Sequence, residues 1–406
     1  ETVINNQMDL IPATYYNSDC ETKYLQFGAL YLDVLHGQGK QQVMEWLRAR
    51  LLFLDTYMEY WTTTSEFISL RAGKDGLAYI DLEMFDNMYA QVKWRNTGKD
   101  DDALAIQIKE VKKNTVTRFE FKVQASTDQE IRIFGAKYVK SLGDLSNLEL
   151  VKIDVSNAKR LTKMECHSSK LKNVILSTCT NLQYVDLKDC STLGSTEQST
   201  KNLDVSRCSN LKYVNCQNTQ LQGVTLNPKG SNIHEVYFPK TVQAITMANC
   251  PQLSIVGLEK GHECKELNLI NCPSITAFGD REYDLSTKKY KYTNGLFLSG
   301  LQKINLDNSY INETDLSINH CLNLNEITLK NMPKLERIKV SVNMYNGACV
   351  TGNLKQFDTN PDLENMEDLI VASTNCPKLK EFITTDPYDN SGADTVSYTH
   401  LRAHET

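Results

Sequence analysis

The sequence predicts a mostly β fold with some α-helix: a parallel β solenoid preceded by a small antiparallel β domain and an N-terminal helical segment. Three observations lead to this prediction. A cysteine-bearing motif recurs through the second half of the chain, and apolar residues alternate with polar ones between residues 67 and 123. From about residue 39 to residue 60, apolar residues recur at steps of three and four, as on one side of a helix.

The recurring motif is the evidence for a solenoid. It reads apolar-x-x-Cys-x-x-apolar, as in L-K-D-C-S-T-L at 187–193 and L-I-N-C-P-S-I at 269–275. The wider unit is L-x-x-Φ-x-Φ-x-x-C, where Φ is apolar, and it begins mostly every ten or eleven residues. Two units therefore make one turn of about 21 residues, and stacked turns of this kind bury one continuous core.

Four cysteines in every second unit are expected at one corner of successive turns. Because stacked turns lie about 4.8 Å apart, equivalent residues form a column. A thiol is small and tolerates burial, so the interpretation is a structural column of reduced, buried cysteines. Twelve cysteines spread over 406 residues without a C-x-x-C pair favour this over a disulfide framework or a zinc site. The column consists of Cys179, Cys208, Cys250 and Cys272.

The change of pattern along the chain predicts five parts. They are a helical remnant of an upstream domain at 1–62, the small antiparallel β domain at 63–130, the cysteine-bearing solenoid at 131–385, the start of a truncated continuation at 386–395, and a non-native tail at 396–406. The solenoid is expected to carry insertions at 191–199, 279–299 and 342–368.

The last eleven residues, V-S-Y-T-H-L-R-A-H-E-T, resemble a translated sequencing-library adapter. The chain also begins at Glu1 without an initiator Met. We therefore expect the parent protein to extend beyond both ends, and a signal peptide or a catalytic domain upstream stays open.

Composition argues against several classes of function. The net charge of −6 and the lack of a basic stripe argue against nucleic-acid binding. No apolar run approaches the ~18 residues of a spanning helix, so no membrane insertion is expected within this fragment. The histidines fall at unrelated phases and match no nucleophile, metal or phosphate motif, so we expect no catalytic residue, no metal and no cofactor. An acid/base pair assembled across turns stays open.

One outward face of the solenoid is the candidate partner-binding surface. The x positions of the strands point away from the core, and a mixture of tyrosine with polar groups suits recognition because the rings are rigid. The alternative is that these are ordinary strand surface residues. The candidates are Tyr184, Asp186, Lys188, Tyr213, Asn215, Gln217, Glu235 and Tyr237.

The unit L-x-x-L-x-L-x-x-C resembles the cysteine-bearing leucine-rich repeat. The repeat region is similar to those of large surface proteins of gut Bacteroidota and of the virion proteins of their tailed phages. Two segments, W-L-R-A-R-L-L-F-L-D-T-Y at 46–57 and I-F-G-A-K-Y-V-K-S-L-G-D-L-S-N at 133–147, resemble the linker into repeats of tail-associated proteins of crAss-like phages.

This resemblance implies a non-catalytic recognition and structural segment of a large modular protein, with a virion assembled in a bacterial cytoplasm as its location. Its partners would be a protein or glycan surface component, or neighbouring virion subunits. The alternative is a leucine-rich repeat adhesin at the bacterial cell surface. A third possibility is the accessory domain of an enzyme whose catalytic part lies upstream.

Overall fold

The structure of the chain is a computed structural model. It describes residues 66–95, 104–123, 130–176, 178–227, 231–258, 262–278, 281–284, 289–292, 300–310, 312, 314–318, 321, 323–341, 343–345, 348–351, 367–368, 370–379, 381–385 and 395–398. The helical segment expected at 1–62 lies outside these residues. Within them the fold is mostly β, and the helices are two short 3₁₀ turns, Ala136–Tyr138 and Ser146–Leu148.

The strands are numbered in chain order. Those before the repeats are β1 (Phe67–Arg71), β2 (Gly76–Met84), β3 (Met88–Arg95), β4 (Leu104–Val111), β5 (Thr117–Val123), β6 (Glu130–Phe134) and β7 (Val139–Asp144). The first repeats contain β8 (Lys152–Asp154), β9 (Lys163–Glu165), β10 (Asn173–Ile175), β11 (Tyr184–Asp186), β12 (Asn202–Asp204), β13 (Tyr213–Asn215), β14 (Gly223–Thr225), β15 (Glu235–Tyr237), β16 (Ala244–Ala248), β17 (Ile255–Gly257), β18 (Glu266–Ile270) and β19 (Ala277–Phe278).

The remaining strands are β20 (Arg281–Asp284), β21 (Lys289–Tyr292), β22 (Lys303–Asp307), β23 (Asp315–Ile318), β24 (Glu326–Lys330), β25 (Arg337–Ser341), β26 (Asn343–Tyr345), β27 (Ala348–Thr351), β28 (Glu367–Asp368), β29 (Ile370–Thr374), β30 (Glu381–Thr385) and β31 (Thr395–Tyr398). The insertions carry antiparallel strands: β20 pairs with β21, and β27 pairs with β26 and β28. Strand β31 pairs antiparallel with β30.

The antiparallel strands β1–β6 form two sheets that continue into the repeats. In one sheet β1 pairs with β6 and also with β8, the first strand of the repeats. In the other, β2 pairs with β5 and with β7, which in turn pairs parallel with β9. The antiparallel layer and the repeats share one hydrophobic core. The antiparallel strands therefore cap the first turn by covering its strand edges, which would otherwise expose unpaired backbone groups.

Polar side chains reinforce the junction between cap and repeats. The carboxamide of Asn147 accepts the N–H of Tyr79 at 3.0 Å and donates to the carbonyl of the same residue at 3.1 Å, as a paired strand would. Asn157 Nδ2 donates to the carbonyl of Phe67 at 3.0 Å. These bonds give hydrogen-bond partners to backbone groups of the cap that the pairing between strands does not satisfy.

The repeats wind as a parallel β solenoid of about seven turns. One of its faces is a nine-stranded sheet of order β19-β17-β15-β13-β11-β9-β7-β2-β5, in which the repeat strands are parallel and in register. Val185 lies between Met164 and Val214, and all three are buried in the core. Since side chains alternate along a strand, the flanking residues face outward.

A ladder of asparagines marks one corner of the later turns. Each has a left-handed backbone, with φ between 46° and 55°. Asn271 Nδ2 donates to Asn249 Oδ1 at 3.0 Å, Asn308 donates to Asn271 at 3.3 Å, and Asn375 donates to Asn331 at 2.8 Å. Asparagine suits this corner because it enters the left-handed region more readily than most residues and its carboxamide bonds to the next turn.

The ladder predicts a specific cost for losing one asparagine. Asn271→Ala should lower the free energy of unfolding by about 2 kcal/mol, because alanine pays roughly 1–2 kcal/mol for the left-handed backbone and both ladder hydrogen bonds are lost. Asn271→Gly should cost less, since glycine removes the backbone strain and loses only the bonds. Denaturant unfolding of the three proteins measures this. Equal stabilities of the alanine and glycine variants would contradict the strained corner.

Candidate functional site

The predicted partner-binding residues lie together on the outer side of the nine-stranded sheet. Tyr184 and Tyr213 are in register on β11 and β13, and their rings stack with centroids 4.5 Å apart at 5°. Tyr213 also contacts the ring of Tyr237, on β15, at 5.8 Å and 49°. The structure thus brings three tyrosines from three successive turns into one ring ladder, which we call the tyrosine ladder.

The polar candidates beside the ladder have structural partners. Asp186 Oδ1 accepts the N–H of Lys188 at 3.1 Å, and Asn215 Oδ1 accepts the N–H of Gln217 at 3.0 Å, so each caps the turn that follows its strand. The Tyr184 hydroxyl donates to Asp186 Oδ2 at 3.1 Å. Burial, followed by the negative charge of Asp186, raises the pKa of Tyr184, so this hydroxyl stays protonated and serves as a donor.

Half of the eight candidates have little accessible surface. The exposed fraction is 7% for Asp186, 5% for Asn215, 8% for Gln217 and 1% for Tyr237. On this face a side chain that points away from the core is therefore not always exposed to solvent, because side chains from neighbouring turns cover one another. The accessible part of the predicted surface comes from the half-buried members Tyr184, Lys188, Tyr213 and Glu235.

Tyr237 is held at the far end of the ladder by a close approach to Gly257, which is in register with it on β17. A Cβ on Gly257 would lie 2.1 Å from the Cδ1 atom of the Tyr237 ring. Tyr237 also belongs to a small apolar cluster with Ile255 and Ala277, separate from the main core. Its hydroxyl donates to Glu235 at 3.0 Å. The glycine thus makes room for a large buried ring outside the core.

The four cysteines of the predicted column are all buried. Burial raises the pKa of Cys179 and of Cys208 to about 12. The Cys250 and Cys272 thiols share a hydrogen bond, and this bond followed by burial raises the pKa of Cys250. Strands β16 and β18 precede these two cysteines in register, which explains why the thiols meet. The thiols of Cys179, Cys208 and Cys250 are thus held as neutral groups. The hydrogen bond with Cys250 instead lowers the pKa of Cys272 to about 7.

A second thiol contact, between Cys166 and Cys190, lies beside the nine-stranded sheet and was not predicted. The Cys190 thiol donates to the carbonyl of Cys166 at 3.0 Å, and a hydrogen bond between the two thiols raises the pKa of Cys166. Ten cysteines whose side chains the structure describes are free, without a disulfide between them. The signal in the sequence was the spacing of 24 residues, about one turn, between Cys166 and Cys190.

A polar cleft on the other face of the solenoid is the second candidate site. It encloses about 650 Å³ and is lined by Gly194, Ser195, Lys201, Gln220, Gln222, Thr241, Gln243, Ala244 and Glu263. It lies where the sheet is interrupted: β12 pairs with β14, and β16 pairs with β18, but β14 and β16 fall in different sheets. The cleft is thus a gap between two stacked turns.

The backbone ladder shows how the gap arises. Gln222 N–H donates to the carbonyl of Lys201 at 2.8 Å, and Lys265 N–H donates to the carbonyl of Gln243 at 2.7 Å. Within the described residues, the corresponding bond from Gln243 to Gln222 is missing. The turns stay joined beside the gap, where the Thr241 hydroxyl donates to the carbonyl of Leu221.

The wall of the cleft depends on Gly194, in the stretch 191–199 that the sequence marked as an insertion. Its φ is 91°, and a Cβ there would lie 2.1 Å from the carbonyl oxygen of Gln220. Lys201 Nζ donates to the carbonyl of Gly194 at 2.8 Å and so fixes the wall. Sequence reasoning missed the cleft because a missing bond between turns leaves no local pattern.

The described residues include a close histidine–carboxylate pair and a buried histidine. His167 Nε2 lies 3.5 Å from Asp186 Oδ1, and the two carboxylate oxygens also accept bonds from the Lys188 N–H and the Tyr184 hydroxyl. His262 is buried, and burial lowers its pKa to about 4, so it is neutral. Groups of three or more His, Cys, Asp or Glu able to hold a metal are absent among these residues.

None of the helices in the described ranges has the length and apolar character needed to span a bilayer. No protein-family model, curated protein or solved structure matches this chain.

The contact between Gly257 and Tyr237 can be tested by a double-mutant cycle. Gly257→Ala should cost about 1–3 kcal/mol of unfolding free energy, because the new methyl group overlaps a buried ring. In a Tyr237→Ala background the same change should cost less than about 0.5 kcal/mol. Denaturant unfolding of the four proteins measures the coupling.

Gly300→Ala is the matched control, because a Cβ there would meet no atom closer than 3.7 Å. It should stay within about 0.5 kcal/mol of the unsubstituted chain. If Gly257→Ala cost the same in both backgrounds, the ring would not be packed on this glycine.

Proposed function

We propose that the chain is a non-catalytic recognition and structural segment of a large modular protein, a phage tail-associated virion protein. In this proposal the solenoid is a cysteine-bearing leucine-rich repeat array. It binds a protein or glycan on the host surface, or neighbouring virion subunits.

The observation that carries the proposal is the rigid outer face of the nine-stranded sheet. Its side chains are held at the fixed spacing of stacked strands, and the Tyr184 and Tyr213 rings are stacked before any partner arrives. The free-energy cost of ordering these side chains on binding is therefore small, which favours binding. Lys163 Nζ lies 5.2 Å from the centroid of the Tyr184 ring, and Glu235 accepts a hydrogen bond from the Tyr237 hydroxyl. Charges of both signs therefore lie beside the rings, and such charges set orientation and specificity.

A structural role is supported by the way the cap and the solenoid are joined. The sheets run from the antiparallel strands into the repeats without a break at the junction, and one core serves both. Shared sheets and a shared core hold the antiparallel cap and the repeats together as one unit. The segment 133–147, which carries part of the resemblance to phage proteins, spans this junction.

Fractionation with mass spectrometry tests the proposed location. Phage particles and bacterial outer membranes would be prepared from the same sample carrying the gene, and tryptic peptides from residues 130–385 would be measured in each. The proposal predicts that these peptides sediment with capsid and tail proteins at the particle density. Peptides confined to the outer-membrane fraction would overturn it in favour of a cell-surface adhesin, and peptides confined to a soluble enzyme complex would favour an accessory domain.

A further inference from the structure

We propose that the polar cleft between β14 and β16 binds a short, uncharged oligosaccharide. This inference rests on the proposed recognition function and names a ligand class for a site away from the tyrosine ladder.

The first step is the supply of unused hydrogen-bonding groups. Gln220, Gln222 and Gln243 line the cleft and are exposed, and within the described residues their carboxamides have no hydrogen-bond partner. A carboxamide offers two donors and one acceptor in one plane, so it can serve neighbouring hydroxyl groups of a sugar at the same time. Where the backbone bond between the two turns is missing, the Gln243 N–H and the Gln222 carbonyl also lack the partner that the equivalent groups have in other turns.

The second step is charge. Among the described residues of the lining there is one cation, Lys201, whose ammonium group already donates to the Gly194 carbonyl, and one anion, Glu263. Two opposite charges give no net preference for an anionic or a cationic ligand, whereas both can bond to hydroxyl groups. The chemistry therefore favours an uncharged polar ligand over a phosphate, a nucleotide or a polyamine.

The third step excludes apolar and peptide ligands. Hydrophobic ligands and peptide anchors bind in pockets lined by apolar or aromatic side chains. Of the lining residues that the structure describes, Ala244 alone has an apolar side chain. The volume of about 650 Å³ lies within the range of roughly 300–1,000 Å³ found for small-molecule sites. A short oligosaccharide fits both the size and the chemistry.

Saturation-transfer NMR and calorimetry with four neutral hexasaccharides test the proposal: cellohexaose, xylohexaose, mannohexaose and maltohexaose. At least one should bind the full chain with a Kd at or below about 1 mM. The double variant Gln222→Ala/Gln243→Ala should weaken that binding at least tenfold, which corresponds to about 1.4 kcal/mol, at an unchanged melting temperature.

Gln302→Ala is the matched control. Gln302 is exposed and precedes β22 as Gln243 precedes β16, but it lies where the ladder between turns is intact. Its replacement should leave binding unchanged. If the double variant loses its fold, the exposed Glu263→Ala provides a second variant, with a loss of at least threefold expected.

Two results would overturn the proposal. Failure of all four hexasaccharides to bind at about 1 mM would exclude the ligand class, and binding that survives both the double variant and Glu263→Ala would exclude the cleft. Neither result touches the proposed virion location, which the fractionation experiment decides alone. Conversely, peptides found only in the outer membrane would overturn the virion assignment while oligosaccharide binding in the cleft would stand.

Discussion

Each turn of the solenoid rests on the next through parallel strands in register, and the rest of the structure depends on this stacking. Register places valine over valine inside, as at Val185 and Val214, and tyrosine over tyrosine outside, as at Tyr184 and Tyr213. It also brings Cys250 to Cys272 and Asn249 to Asn271. A residue is therefore defined as much by its equivalent one turn away as by its neighbours in sequence.

Stacking also explains which outward-facing side chains are accessible to a partner. On the nine-stranded face, where the ladder is continuous, neighbouring turns cover one another, and side chains such as Asn215 and Tyr237 become buried although they point outward. On the opposite face the ladder is interrupted between β14 and β16, and exposed carboxamides with no partner among the described residues line the gap. We propose that the continuous face binds a flat partner surface and that the cleft in the interrupted face binds a small ligand.

Much of the fold could be predicted from sequence because the signal is periodic. The motif around Cys208 and Cys250 specifies buried strands at fixed spacing, and the alternation at 119–123 specifies an antiparallel strand. The asparagine corner was present in the motif as N-C-P at 249–251 and 271–273, but its left-handed backbone is a property of the turn geometry. What the sequence could not supply were relations between turns. The burial of Tyr237 depends on Gly257, twenty residues later, and the cleft depends on a bond that two distant residues do not make.

Disulfide trapping at outward positions measures the stacking directly. Thr246 and Asn268 are in register on β16 and β18, while Thr246 and Asn305 are separated by β18. Neighbouring strands lie about 4.8 Å apart, within the range a disulfide spans, whereas a separation of two strands exceeds it. Under mild oxidation Thr246→Cys/Asn268→Cys should form the new disulfide, seen by mass spectrometry, and Thr246→Cys/Asn305→Cys should not. Trapping of the second pair in preference to the first would contradict the stacked solenoid.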